Sequence, residues 1–130
     1  MDFDLRKPLW FLFIFFASIT LIQKYYTWDD ALAYAKKKPG SSAQAIEYYV
    51  GMAGYMRSNN AVATKAFEQL LADYPTSYYA PKAFLRLGGI YEEKFQWDMA
   101  KKNYELYLEL FPDGKERRLI ETKYDQVKFR

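Results

Sequence analysis

The chain has no cysteine and no histidine. Without cysteine there is no disulfide, no thiolate metal site and no lipid-modified N-terminal cysteine. Without histidine the commonest general base and the commonest metal ligand are both missing. Neither a Gly-x-Ser-x-Gly elbow nor a phosphate-cradling glycine loop occurs. A surplus of one charge is lacking too. The 19 basic residues face 16 acidic ones, a formal net charge of +3, and they alternate instead of forming a stripe. That balance offers nucleic acid no electrostatic footprint. The expectation is a protein that is not an enzyme, holds no cofactor or metal, and takes neither nucleic acid nor a small-molecule substrate.

Aromatic residues are plentiful instead. Thirteen Tyr and ten Phe bring the aromatic share to 20% of 130 residues, a length with room for one ordinary domain and an accessory segment. That load exceeds what a modest core needs, so some of it is expected to be covered in an assembly.

The segment "MDFDLRKPLWFLFIFFASITLIQKYYTW" opens the chain, with no charge from Pro8 to Gln23. A cleaved signal peptide needs a small-x-small site after its apolar run. Ala17-x-Ile19 and Ser18-x-Thr20 are both poor ones, and Asp2 and Asp4 dilute the charge of Arg6 and Lys7. A transmembrane helix wants about 20 apolar residues. The run falls a little short, but Leu5 extends it and Lys7 and Lys24 can snorkel. Trp10 at one end, with Tyr25, Tyr26 and Trp28 at the other, stand where aromatic belts form. Phe11, Phe13, Phe15, Phe16 and Leu21 leave the helix without a polar face, as lipid requires. An uncleaved anchor over residues 1–26 is expected, with a buried core helix as the competing reading. Charge does not orient it, because Arg6 and Lys7 on one side are matched by Lys24 and Lys36 to Lys38 on the other.

Two stretches further on say nearly the same thing: "AFEQLLADYP", ending at Pro75, and "KNYELYLELFP", ending at Pro112. Aligning the prolines gives a period of 112 − 75 = 37. Ala63 then falls on Ala100, Phe67 on Tyr104, Leu71 on Leu108, Tyr74 on Phe111, Val50 on Leu87 and Gly51 on Gly88. A repeat of this length marks stacked helices. Val62, Ala63, Ala66, Phe67, Leu70 and Leu71 follow the spacing of one helix face. The small Ala63 and Ala100 allow close helix approach, and Phe67 and Tyr104 are expected to fill the space between repeats. Pro75 and Pro112 end their helices. Arg57 to Asn60 and Lys94 to Asp98 read as turns, with Asn59 or Asn60, and Asp98, as N-caps.

These residues resemble the tetratricopeptide repeat, a helix–turn–helix unit of about 34 residues. The unit 81–114 carries Phe84, Leu87, Gly88, Tyr91, Ala100, Tyr104 and Pro112 at the family's spacing. The unit 44–77 matches at Val50, Gly51, Ala63, Phe67 and Pro75, but Glu47 replaces the expected aromatic and Gly54 the expected tyrosine. The linker "YPTSYYAPKA" looks like those of tetratricopeptide proteins in the bacterial cell envelope. The resemblance implies an all-α solenoid with the two units in residues 44–114. A short connecting helix precedes them in 27–43, with Thr27 as N-cap and Asp29 and Asp30 in its first turn. A capping helix follows in 115–130, with Leu119, Ile120, Tyr124 and Val127 on its packed side.

The resemblance also implies a concave groove lined by the first helix of each pair. Carried over residue by residue, it is Ala45, Tyr48, Met52 and Tyr55 in the first unit and Lys82, Leu85, Gly89 and Glu92 in the second. Tyr and Met suit an adaptable protein-binding surface. The competing reading makes the Tyr48–Met52–Tyr55 stripe core, and makes Gly88-Gly89 a mark of tight packing. Glu92 and Glu93 are adjacent on a helix and point apart, so they form no acid/base pair. Lys115 to Arg118 reads as a solvated helix start, with contact to acidic lipid or phosphate as its alternative. Two functions remain: an accessory scaffold subunit of a membrane complex, or an anchored adaptor that transiently holds client segments. The short connection between Ile22 and Gln44 favours the subunit. The expected partners are protein subunits and the lipid bilayer, with the linker pointing to a bacterial inner membrane and periplasmic repeats.

Overall fold

The computed structural model of the protein describes residues 6–130. Met1 to Leu5 of the anchor expectation, with Asp2, Asp4 and Leu5 among them, lie outside the described residues. Every regular element among the described residues is a helix: α1 (Arg6–Tyr25), α2 (Trp28–Lys37), α3 (Ser41–Met56), α4 (Asn60–Asp73), α5 (Ala80–Glu93), α6 (Trp97–Leu110) and α7 (Arg117–Val127). From α2 onward each helix packs on the next in chain order, and α3 also meets α5. The repeat period is visible in the boundaries themselves, since α4 and α6 begin and end 97 − 60 = 110 − 73 = 37 residues apart.

Equivalent residues occupy equivalent seats. Ala63 and Ala100 are both fully buried. Phe67 packs over Gly51, where an added Cβ would meet the ring at 2.5 Å, and Tyr104 covers Gly88 still more tightly. The two rings therefore close their own hairpins, where the sequence had suggested filler between repeats. A side chain at Gly51 or Gly88 would push the paired helices apart.

The turns repeat as well. Ser58 and Phe95 both take left-handed backbone, φ 56° and 59°, after which Asn59 N–H donates to the Gly54 carbonyl (2.8 Å) and Gln96 N–H to that of Tyr91 (2.9 Å). Asn59 caps α4 through its side-chain oxygen, 3.3 Å from Val62 N. Asp98 does not cap α6. It stands inside the first turn, behind the N-cap Gln96, and pairs with Lys101 at 3.8 Å. Asn60, Trp97 and Asp98 are helical, so the turns are shorter than the sequence suggested.

At the start of the stack, Thr27 and Asp30 form a reciprocal capping box on α2. This hydrogen bonding holds the Asp30 carboxyl below the usual carboxylate range. α2 then runs alongside α4. Asp29 meets Lys65 (2.5 Å), the Leu32 carbonyl accepts from Gln69 (3.0 Å), and Lys36 meets Asp73 (3.5 Å). The partners are 36 or 37 residues apart, so α2 stands one repeat before α4, as a second helix without a packed first. At the other end α7 begins 117 − 80 = 37 residues after α5 and takes the seat of a first helix. Ile120 and Val127 are buried there, Tyr124 is half-buried, and Leu119 is 48% exposed, off the packed side where the sequence had put it. Arg117 in the "KERR" run bonds Glu121 and the Pro112 carbonyl, which ties the helix to its loop.

α1 is different in kind. It buries no residue, and it is long and apolar enough to cross a membrane. Ser18 and Thr20 return their hydroxyls to the Ile14 and Ala17 carbonyls, which removes the polar atoms that lipid would penalise.

Candidate partner-binding groove

α3 meets α5, and the residues carried over from the sequence lie on these two helices. They are not equivalent. Tyr48 is 9% exposed and belongs to the core, stacked on Tyr79 at 4.9 Å. Burial pushes its phenol above the ordinary range. For this residue the core reading holds. Met52, Tyr55 and Leu85 rest on the same core but stay half-exposed, and Ala45 is half-buried. Arg86 crosses from α5 to Tyr55, with its guanidinium 4.9 Å from the ring centre and a 3.4 Å bond to the hydroxyl. Lys82 is exposed.

The two glycines part company. Gly88 is packed against Tyr104, whereas an added Cβ at Gly89 would meet nothing within 4 Å. Tight packing thus explains Gly88 and not Gly89, which leaves bare helix backbone facing open space. Glu92, at the end of the strip, accepts a bond from the Tyr104 hydroxyl and lies 3.5 Å from Lys123 of α7. Burial, with Glu92 beside it, drives the Tyr104 phenol far above its ordinary range. Glu92 therefore ties three helices together. Glu93 points elsewhere and accepts from Asn60 at 3.4 Å.

Sequence reasoning missed part of this surface. Tyr79 stacks on Tyr48, and Tyr49 and Tyr78 pack edge-on against Tyr79. The run Tyr78-Tyr79 was legible as an insertion, but its folding back over α3 was not. Arg86 sits one residue past a groove position and gave no signal. The result is a strip of half-exposed Met, Tyr, Leu and glycine backbone, with Arg86 and Lys82 of α5 as its cations. It offers adaptable apolar contact and a donor.

The other polar feature is Glu47, which is wholly buried where the second unit has Phe84. Gln69 donates to its Oε1 at 2.7 Å, while Oε2 has no partner. Burial raises its carboxyl above the usual range, and Asp73 adds to that against Lys36. No group of three or more acidic side chains among the described residues gathers as a metal site.

No curated protein and no solved structure matches the chain. A family model of the tetratricopeptide repeat matches residues 82–114, the span of α5 and α6. The match supports kinship with the tetratricopeptide family, whose repeats are generally non-catalytic modules for protein–protein contact.

Proposed function

We propose that this chain is a non-catalytic accessory subunit of a membrane protein complex, bracing a partner subunit against the α3–α5 strip while α1 spans the bilayer. The observation that carries it is the pairing of an apolar helix that buries nothing with a solenoid on which Met52, Tyr55 and Leu85 stay half-exposed. In this reading residues 1–26 are the anchor, 27–43 the connection, 44–114 the two repeat units and 115–130 the cap. Ala45, Tyr48, Met52, Tyr55, Lys82, Leu85, Gly89 and Glu92 remain the proposed groove, with Tyr48 acting from beneath. The likeness of the linker from Tyr74 to Ala83 to those of bacterial envelope proteins supports an inner-membrane location with periplasmic repeats.

Purification from native membranes in mild detergent tests the role. A fixed stoichiometric protein partner is expected, and its association should weaken in Tyr55→Ala with helicity unchanged. A chain that elutes alone and captures peptides would point to the transient adaptor instead. Solubility of the full chain without detergent would remove the membrane part of the reading.

A further inference from the structure

Because α2 to α7 alternate in direction, one edge of the stack gathers the starts of α2, α4 and α6 with the ends of α3, α5 and α7. Contacts along that edge agree. The Arg57 guanidinium lies 5.7 Å from the Trp28 ring, and Lys101 Nζ donates to the Arg130 carbonyl at 3.0 Å. α1 is bound to the same edge by covalent geometry. Only Tyr26 and Thr27 separate it from α2, so the two helices cannot part by more than about 10 Å there. A cleft lined by Ile22, Tyr26, Trp28 and Arg57 joins them.

The chemistry of this edge is unusual for surface facing water. Met56 is 78% exposed, Phe95 75% and Phe129 89%. Phe95 also takes left-handed backbone, a seat where glycine is the ordinary occupant, so a bulky apolar ring is held outward against local preference. Cations sit over rings repeatedly: Lys24 over Tyr25, Arg57 over Trp28, Arg130 over Trp97 and Lys128 over Phe129. The acids of the edge are engaged. Asp29 pairs with Lys65, Asp98 with Lys101 and Asp125 with Lys128, while Glu93 accepts from Asn60. The opposite edge consists of the turns at Pro39, Pro75 and Pro112, with one such cation–ring pair, Lys38 over Tyr34.

We infer that the edge carrying Met56, Phe95, Trp97 and Phe129 rests in the headgroup region of the bilayer that α1 crosses. Rings paired with Lys or Arg fit the boundary between headgroups and acyl chains, where the ring is shielded and the cation meets phosphate. The inference rests on the transmembrane reading of α1. Continuity with that helix is what selects lipid over a protein as the occupant.

The test uses the full chain in phosphatidylcholine vesicles whose lipids are brominated near the top of the acyl chains, against the same vesicles unbrominated. The three tryptophans, Trp10, Trp28 and Trp97, allow single-tryptophan forms by change to Phe. Trp10 alone reports the span. Trp97 alone, and Phe129→Trp in a background free of other tryptophans, report the edge, and Tyr78→Trp in that background reports the far side. Equal far-UV circular dichroism shows that each form is folded. Trp10, Trp97 and Phe129→Trp should all lose emission on bromination while Tyr78→Trp keeps it. Loss at Trp10 with none at either edge probe overturns the inference and leaves the span intact. No loss at Trp10 overturns the span and the inference with it. Equal loss at Tyr78→Trp and the edge probes also overturns it, because the domain would then have no preferred side.

Discussion

Glu47→Met should make the protein more stable at neutral pH, and the gain should grow with pH. Glu47 is completely buried among α2, α3 and α4, and one carboxylate oxygen has no partner. A buried polar atom left unbonded costs about 1–3 kcal/mol, and more when charged. Methionine fills a similar volume without that penalty and adapts to the available space. Gln69 Nε2 keeps one N–H on the Leu32 carbonyl at 3.0 Å but loses the acceptor of its other, which offsets part of the gain. Set against the stranded Gln69 N–H, the expected net gain at pH 7 is about 1 kcal/mol. For a domain of this size each kcal/mol moves Tm by roughly 4–8 °C. The sign of the pH dependence follows from the raised carboxyl. The folded state holds the proton more tightly than the unfolded chain. Stability from the protonated form is therefore complete below the ordinary carboxylate range and is lost as pH rises through the folded value. Wild type and variant should be closest near pH 4 and furthest apart near pH 8. Thermal unfolding of the full chain in detergent, followed by circular dichroism across that range, reads both effects. A variant less stable than wild type at pH 7, or a gap that does not change with pH, would refute the account of Glu47 as a strained carboxylate.

Gly88→Ala should destabilise by about 1–3 kcal/mol, because its Cβ meets the Tyr104 ring. Gly89→Ala should instead gain up to about 1 kcal/mol of helix propensity, since the site is open. If the strip holds a partner, that same change weakens association, and unfolding curves beside pull-down separate the two. Phe95→Gly should relieve the left-handed turn by about 1 kcal/mol in urea unfolding, and no change would mean that the turn is unstrained. Thr27→Ala should cost about 1 kcal/mol by breaking the capping box. Hydrogen exchange at the first turn of α2 should speed up in that variant.

The repeat was legible because prolines and small residues have few alternative uses. Pro75, Pro112, Ala63 and Ala100 each mark a geometric constraint, and the helices they bound are where the spacing put them. Thr27 was readable as a cap for the same reason. What stayed hidden depends on partners distant in the chain. Glu47 was visible as a departure from the aromatic pattern, but its burial is decided by α2, whose relation to α4 leaves no sequence match. Tyr48 and Tyr55 share a helical face, yet only the fold-back of Tyr79 makes one of them core. Nothing in "EKFQW" announces left-handed backbone, since glycine, the usual sign, is replaced by Phe95.

The connection from Tyr25 to Trp28 has a kinetic meaning. With α1 in a bilayer, a connection of only two residues and a locked first turn of α2 hold the solenoid within a short reach of that helix. Its helices of 14 residues reach only about 21 Å from their base. A partner carried in the same membrane is then sought in a thin layer rather than a volume, so the local concentration at the strip is set by tether length. Weak contacts suffice under that confinement, as they do wherever two linked modules meet. A half-exposed strip of a few side chains is all that such a geometry demands.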